Sequence, residues 1–356
     1  MTDQPTKTLT GVVPAGQRGD DADRSFQWYT PAKRRATLYE DVTVDTQPSI
    51  HRHVTRGWPV CFEDGRGTWS DESTRLQSTD WFAFRDPGQL WERPYFQDGT
   101  GFERQIENSL RAGQGARLLD DFAPEWVEFL RTNLQITSFV AHGLWLATAT
   151  IARDCLSDGL AHCVALEAAM KQRQSQAPVL FAMDIEETFG EFDITLSKSS
   201  FLDDEPWQPV RRLVERCRAT HDWGEVIFAV NVCFEPLIGR LLNRELLMRQ
   251  APPSHDSLTP TLCTGIELEW DWIRSWTKDM MKFLVDDEKF GDVNRGILEE
   301  WRSSWLPETR AAAKALSAVF ALLPNEVDFE AAYDACLSEQ EALLETCRAV
   351  SVEAAQ

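Results

Sequence analysis

The stretch AHCVALEAAMKQRQ, residues 161–174, brings an imidazole, a carboxylate and an ammonium group together on one predicted helix. A metal site in a helical bundle needs a glutamate and a histidine three residues apart, because this spacing puts both on one helix face. His162 and Glu167 are five residues apart, about 140° around the helix, and therefore cannot bind one ion. Lys171 adds a positive charge where a ligand would be required. The pattern favours a structural histidine, in the core or at a helix cap, over a metal ligand.

None of the six histidines has a glutamate three residues before it. After Glu167, the third and fourth residues are Met170 and Lys171, and neither is an imidazole. Motifs of other catalytic classes are missing too, since the sequence has no G-x-S-x-G, no P-loop and no G-x-G-x-x-G. The residues three before the histidines are Pro48, Ile50, Phe139, Gly159, Arg218 and Pro252.

Two further glutamates lie inside apolar helical patterns. Glu235 occurs in VNVCFEPLIGRLL, and Pro236 directly after it predicts a kink or bulge in that helix. A buried carboxylate needs a partner, which we expect to be an arginine on a neighbouring helix. Glu269 occurs in TGIELEWDWIRSW and is followed at the third and fourth positions by Trp272 and Ile273, so the imidazole is missing again. We predict a structural role for Glu235 and no catalytic, cofactor-binding or metal-binding residue in this chain.

Composition limits the classes of partner and the compartment. The net charge of -21 argues against a nucleic-acid partner, because phosphate binding needs clustered Lys and Arg. The eight cysteines form no C-x-x-C pair and the N-terminus has no apolar signal core. We therefore expect reduced, buried cysteines and a cytoplasmic protein without a membrane partner. The longest apolar run, 136–152, contains a His and three Thr and is typical of a buried core helix.

The N-terminal part of the chain shows few helical signals. Residues 1–30 are polar and without periodicity, which predicts a disordered tail. Residues 31–100 predict an extended, aromatic-rich arm that contacts a partner subunit, with one short strand around Val42 and Val44. The 14 tryptophans of the chain fit this interpretation, because Trp is enriched where proteins meet.

From residue 101 to residue 356 the pattern is helical, and long helices with short connections predict a helical bundle. The sequence SDG at 157–159 predicts a break or cap between two of the helices. The expected helices are 102–113, 124–155, 160–175, 179–192, 205–219, 222–249, 258–286, 291–322 and 328–350.

Three stretches carry a resemblance to a known family: RRATLYEDVTVDTQPSIHRHVTRGWP, WFAFRDPGQLWERPYF and AHCVALEAAMKQRQSQ. They resemble the small (β) hydroxylase subunit of bacterial multicomponent soluble diiron monooxygenases, most of all the propane monooxygenase branch. The resemblance implies an all-α, ferritin-like helical bundle with a long irregular N-terminal arm. It also implies descent from the large α subunit with loss of the irons. The positions around residues 167–171 and 269–273 would match the iron-binding helices, and neither has a histidine. The 34-residue gap between Glu235 and Glu269 resembles the gap between the corresponding ligands.

The family further implies a non-catalytic subunit of an NADH-dependent monooxygenase that hydroxylates propane or related short alkanes with O₂. The cofactors would lie in the partners: a diiron centre in the α subunit, and FAD and a [2Fe–2S] cluster in a reductase. A small coupling protein and an (αβ)₂ assembly complete the implied system.

Two other functions remain open from the residues alone. One is a helical adaptor without an enzymatic partner. The other is a self-sufficient diiron oxidase or desaturase, against which the missing Glu-x-x-His pairs count heavily.

Overall fold

The structure, a computed structural model, describes residues 36–44 and 71–348. Within these ranges it has helices and no β-strand. The predicted tail 1–30, most of the arm, Cys61, Trp58 and Trp69 lie outside the described residues. The helices are α1 Leu38–Thr43, α2 Glu92–Gly115, α3 Pro124–Asn133, α4 Ile136–Ile151, α5 Asp158–Phe189, α6 Ile194–Asp203, α7 Gln208–Ala219, α8 Trp223–Ile227, α9 Thr259–Val285, α10 Gly291–Ala315, α11 Ser317–Phe320 and α12 Phe329–Thr346, with two π-helical segments, π1 Phe228–Gly239 and π2 Leu241–Met248, after α8.

Helices α4 and α5 run along each other, and α9 packs against α5 and π2. On the far side α10 and α12 cover π1. Nearly all of π1 is buried, from Phe228 to Ile238, so this segment forms the axis of the core. The predicted apolar core helix is confirmed as α4, whose apolar side chains such as Val140 and Leu144 are buried.

Side-chain caps set the start of several helices. Ser157 accepts a hydrogen bond from the backbone N–H of Leu160, which confirms the predicted cap before α5. Asp222 accepts bonds from Gly224 and Glu225 and starts the long stretch that contains π1 and π2.

Two predicted helix boundaries in this region are wrong. The expected helix 124–155 is interrupted after Asn133, where the Gln135 side chain donates to the carbonyl of Phe192 and anchors a turn. Pro178 was expected to separate two helices, yet α5 passes through it and is 32 residues long. An internal proline costs about 3 kcal/mol. Burial of Phe181 and Ile185 on the continued helix offsets this cost.

The wide turns of π1 explain how the chain accommodates Pro236. A bulge at Glu235 and Pro236 was predicted, and the segment has i→i+5 hydrogen bonding, with the backbone N–H of Arg240 donating to the carbonyl of Glu235. The predicted helix over 222–249 is therefore confirmed as a continuous helical stretch with a changed winding.

The described part of the arm differs from the prediction in two ways. The strand around Val42 and Val44 is wrong, because Leu38–Thr43 is a helix stabilised by a capping box between Thr37 and Glu40. The helix expected over 102–113 begins at Glu92, inside the segment assigned to the arm.

Residues 71–91 are held by this chain's own helices. Leu76 and Phe84 are buried in the core. Trp81 makes an edge contact with Trp223 at 5.3 Å between ring centroids. Arg75 pairs with Glu300 at 2.6 Å on α10. This part of the arm is thus anchored on the body, whereas the expected contact with a partner subunit stays a prediction.

Seven cysteines fall within the described residues; all are buried and none forms a disulfide there. Among the same residues, one stretch, Pro124–Ile151, is long and apolar enough to cross a membrane. It comprises α3 and α4 and is mostly buried inside the fold, as expected of a core helix.

Candidate functional site: a buried charge cluster

A cluster of charged and amide side chains lies where α5, π1 and α9 meet. We call it the charge cluster; it consists of Lys171 and Gln174 from α5, Glu235 and Arg240 from π1 and its end, and Glu269 from α9. All five residues are buried. Buried ions are tolerated only when they are paired and hydrogen-bonded, so the contacts of each member decide what the cluster can do.

Glu235 binds two cations. Its Oε1 lies 2.5 Å from Nζ of Lys171, and its Oε2 lies 3.2 Å from Nη2 of Arg240. The prediction that Glu235 pairs with an arginine on a neighbouring helix is therefore wrong about where the arginine lies. The partner from the neighbouring helix is a lysine, and the arginine comes from Glu235's own helical stretch. Arg240 is five residues further on, and the i→i+5 winding of π1 brings it back to the same side.

The two cations also determine the ionisation of Glu235. Burial alone would raise the pKa of this carboxyl, but Lys171 and then Arg240 outweigh burial and hold its pKa below the ordinary value. Glu235 is therefore ionised. Arg240 also forms a second ion pair, in which its Nη1 lies 2.7 Å from Oε1 of Glu267. The guanidinium also lies over the ring of Trp270, 5.1 Å from its centroid.

Glu269 is held from α5 by two neighbouring residues. Arg173 donates to it through Nε at 2.9 Å, and Gln174 donates through Nε2 at 2.7 Å. Gln174 in turn accepts from Lys171 at 3.4 Å. Lys171 and Gln174 thus have the i,i+3 spacing and the orientation that a Glu-x-x-His pair requires, and they face both Glu235 and Glu269.

The sequence places the positions that match the iron-binding helices around residues 167–171 and 269–273. In the structure the α5 residues that contact Glu235 and Glu269 are Lys171, at the end of the first range, and Gln174 just beyond it. A search of the sequence for carboxylate and imidazole ligands does not find Lys171 and Gln174, because neither has such a side chain.

Glu167 lies one turn below the charge cluster and is fully buried. One of its oxygens accepts from Nδ2 of Asn231 at 2.9 Å, and this amide also donates to Thr277 at 3.0 Å. Its other oxygen, Oε1, has no hydrogen-bond partner among the described residues. Burial raises the pKa of Glu167 to about 7, against the opposing effects of Lys171 and Asn231.

His162 contacts neither Glu167 nor the charge cluster, and its neighbours are Glu92 and Tyr39. Its Nδ1 lies 3.8 Å from a carboxylate oxygen of Glu92, and its ring meets the edge of Tyr39 at 6.5 Å. Burial lowers the pKa of His162, with Glu92 acting in the opposite direction. The structure does not bring His162 to Glu167 or Glu235.

The charge cluster does not fit iron. In the ranges 36–44 and 71–348, no group of three His, Cys, Asp or Glu residues is placed to hold a metal ion. An iron ion between Glu235 and Glu269 would need imidazole and carboxylate ligands from α5. The ammonium of Lys171 and the amide of Gln174 stand there instead, and Lys171 already neutralises the carboxylate.

Comparison with known proteins identifies the family. Residues 58–288 match the model of the methane/phenol/alkene hydroxylase family, and the chain belongs to this family. The resemblance inferred from the sequence is therefore confirmed.

Two relatives show where in the family the chain lies. The hydroxylase component small subunit of propane 2-monooxygenase from Rhodococcus jostii is 35% identical over 324 residues, which are 90% of this chain and 88% of the relative. The component A beta chain of methane monooxygenase from Methylococcus capsulatus is 30% identical over 315 residues, or 86% and 81% of the two chains.

A solved structure shows the fold. A chain of phenol hydroxylase from Pseudomonas sp. OX1 superposes with a TM-score of 0.75 and 22% identity, over 89% of this chain and 92% of that chain. The predicted all-α helical bundle is confirmed.

Proposed function

We propose that this chain is the non-catalytic small (β) subunit of the hydroxylase component of an NADH-dependent multicomponent diiron monooxygenase. The reaction of the complete system is the O₂-dependent hydroxylation of propane or a related short alkane. The similarity to propane 2-monooxygenase small subunits, at about 35% identity over most of both chains, supports this assignment.

The charge cluster is the observation that carries the non-catalytic role. A diiron centre would supply positive charge to the glutamates of the bundle, and here Lys171, Arg173 and Arg240 supply it. The cluster therefore stabilises the bundle without a metal, and no cofactor is assigned to this chain. In the proposed system the diiron centre lies in the α subunit, and FAD and a [2Fe–2S] cluster lie in the reductase.

The partners that we propose are the α subunit, in an (αβ)₂ assembly, the reductase and a small coupling protein, all in the cytoplasm. Exposed apolar side chains on α2 and α5 support a protein interface. Phe96 and Leu180 line one groove and are 66% and 52% exposed, and Met183 follows one turn later at 59%. Side chains this large are rarely left in contact with water in such a group unless a partner covers them. The part of the arm that precedes residue 71 is the proposed second contact with α.

Iron content and co-purification test the proposal together. The chain is produced alone and with a large subunit that carries two Glu-x-x-His motifs, and both preparations are loaded with iron and analysed. We expect no stoichiometric iron on the isolated chain and two irons per αβ pair in the complex. Two tightly held irons on the isolated chain would establish a self-sufficient diiron oxidase instead. Failure to associate with any such large subunit would favour the adaptor.

A further inference from the structure

A small cavity lies inside the bundle, next to the charge cluster. Its volume is about 60 Å³, and it is enclosed by α4, α5, π1, π2 and α9. Most of its wall is apolar, and most of the apolar lining side chains are buried in the core. The main apolar contacts come from Val140, Leu144, Phe234, Leu247 and Leu262.

The polar end of the cavity offers little to a water molecule. Gln174, Glu235, Arg240 and Asn243 line this end, and Gln174 already donates to Glu269 and accepts from Lys171. Both oxygens of Glu235 are bound by cations, Arg240 is shared between Glu235 and Glu267, and the Asn243 amide donates to Glu267 at 2.5 Å. A buried water needs two to four polar partners, and cavities without them stay dry. The wall therefore favours an apolar occupant.

The volume sets the size of that occupant. A dry cavity of about 150 Å³ lined by Leu, Ile and Phe takes up benzene or xenon. The present cavity, at about 60 Å³, has less than half of that space. It therefore excludes a six-carbon ring and fits one xenon atom or a chain of about three carbons.

The cavity comes nearest to the surface of this chain between α4 and α9. Three lining side chains there, Thr137, Ala141 and Ile266, are half-buried, whereas the other apolar side chains of the lining are buried. The half-buried residues mark the side on which the cavity approaches the surface of this chain.

We propose that this cavity is a binding site for a short alkane or alkene of about three carbons, located in the subunit that holds no catalytic centre. The inference rests on the size and lining of the cavity and not on the proposed function. A chain of about three carbons fills the apolar part, and no hydrogen bond to the charge cluster is needed.

Gas-pressurised crystals of the full chain, alone or within the hydroxylase complex, test this site. In xenon, we expect an anomalous peak in van der Waals contact with Leu144 and Leu262. In propane, we expect density for a three-atom chain at the same position, and a mixture of the two gases should reduce the xenon peak. The iron content of the complex is irrelevant to this readout, so the outcome is separable from that of the proposed function.

Two alanines of α4 supply a matched pair of variants. Ala141 lines the cavity, and Ala149 is exposed on the same helix. Ala141→Leu should abolish the xenon peak, whereas Ala149→Leu should leave it unchanged. Ordered water at the position in unpressurised crystals, or an empty cavity under a xenon pressure that fills other cavities of the same crystal, would overturn the proposal. The wild-type crystals decide the matter even if Ala141→Leu fails to fold.

Discussion

Removing the carboxylate of Glu235 should destabilise the bundle more than removing either of its partners. In Glu235→Ala, Lys171 is left 1% exposed with one remaining contact, to Gln174 at 3.4 Å. Arg240 is less affected, because it keeps Glu267 at 2.7 Å. Breaking a buried ion pair by removing one partner costs about 3–5 kcal/mol. We therefore expect Glu235→Ala to lower the free energy of unfolding by about this amount, or the Tm by about 6–10 °C.

A double-mutant cycle separates the ion pair from the loss of packing. Lys171→Met leaves Glu235 bound to Arg240 at 3.2 Å, so it should cost only about 1.5–3 kcal/mol. Adding Glu235→Gln to Lys171→Met removes both members of the pair and keeps an amide for Arg240. The double variant should recover most of the lost stability, because a buried pair replaced on both sides is often neutral.

Thermal unfolding by circular dichroism compares Glu235→Ala and the four proteins of the cycle, five in all, under one condition, and turnover is measured per assembled complex. Turnover of Glu235→Gln should remain at the wild-type value, since the irons are proposed to lie in the α subunit. A Tm for Glu235→Ala within about 1 °C of wild type, or purely additive effects in the cycle, would refute the ion-pair argument. A complex that assembles with full iron but loses turnover by more than about a hundredfold, roughly 2.7 kcal/mol of barrier, would show that this chain takes part in the chemistry.

Three further results are expected. Glu167 has a folded pKa of about 7 against 4.5 when unperturbed, so its protonated form stabilises the fold below pH 4.5 and this contribution is lost as pH rises to about 7. Relative to Glu167→Gln, the wild type should therefore lose about 3 kcal/mol of unfolding free energy across that window in pH-dependent denaturation, and a constant difference would contradict it. Gly239→Ala should lower the Tm, because the new Cβ would collide with the Glu235 carboxylate. In the control Gly296→Ala the new Cβ meets no atom, so the Tm should not change. Equal Tm values for the two variants would contradict the steric argument. Deleting residues 31–70 should abolish co-purification with the α subunit. The helical content of 71–348 should stay close to that of the full chain, because Leu76, Phe84 and the Arg75–Glu300 ion pair still anchor residues 71–91 after the loss of Tyr39. Unchanged binding would show that residues 31–70 do not hold the α subunit.

The sequence predicted the helical class and the missing Glu-x-x-His pairs, because both depend on residues close together in the chain. It did not predict the contact between Lys171 and Glu235, which are 64 residues apart. It also did not predict Arg240 as a partner of Glu235, and the reason is geometric. On an α-helix, residues five apart are about 140° apart, and only the i→i+5 winding of π1 brings Arg240 to Glu235.

Helix boundaries failed where tertiary contacts override local preference. Pro178 is a helix breaker in isolation, but α5 continues because its apolar side chains are buried on both sides of the proline. Val42 and Val44 alternate like a strand, yet the capping box of Thr37 and Glu40 favours a helix there.

The ion pairs of the charge cluster have a consequence for metal binding. Three carboxylates, from Glu235, Glu267 and Glu269, face three cations, from Lys171, Arg173 and Arg240. A single substitution toward a metal ligand, such as Lys171→Glu, would replace a cation by a carboxylate against Glu235 and leave the buried site strongly negative until a metal bound. A histidine in place of Gln174 would not restore that balance. A metal ligand at position 171 would therefore destabilise the metal-free chain, because the lysine that now pairs with Glu235 would be lost.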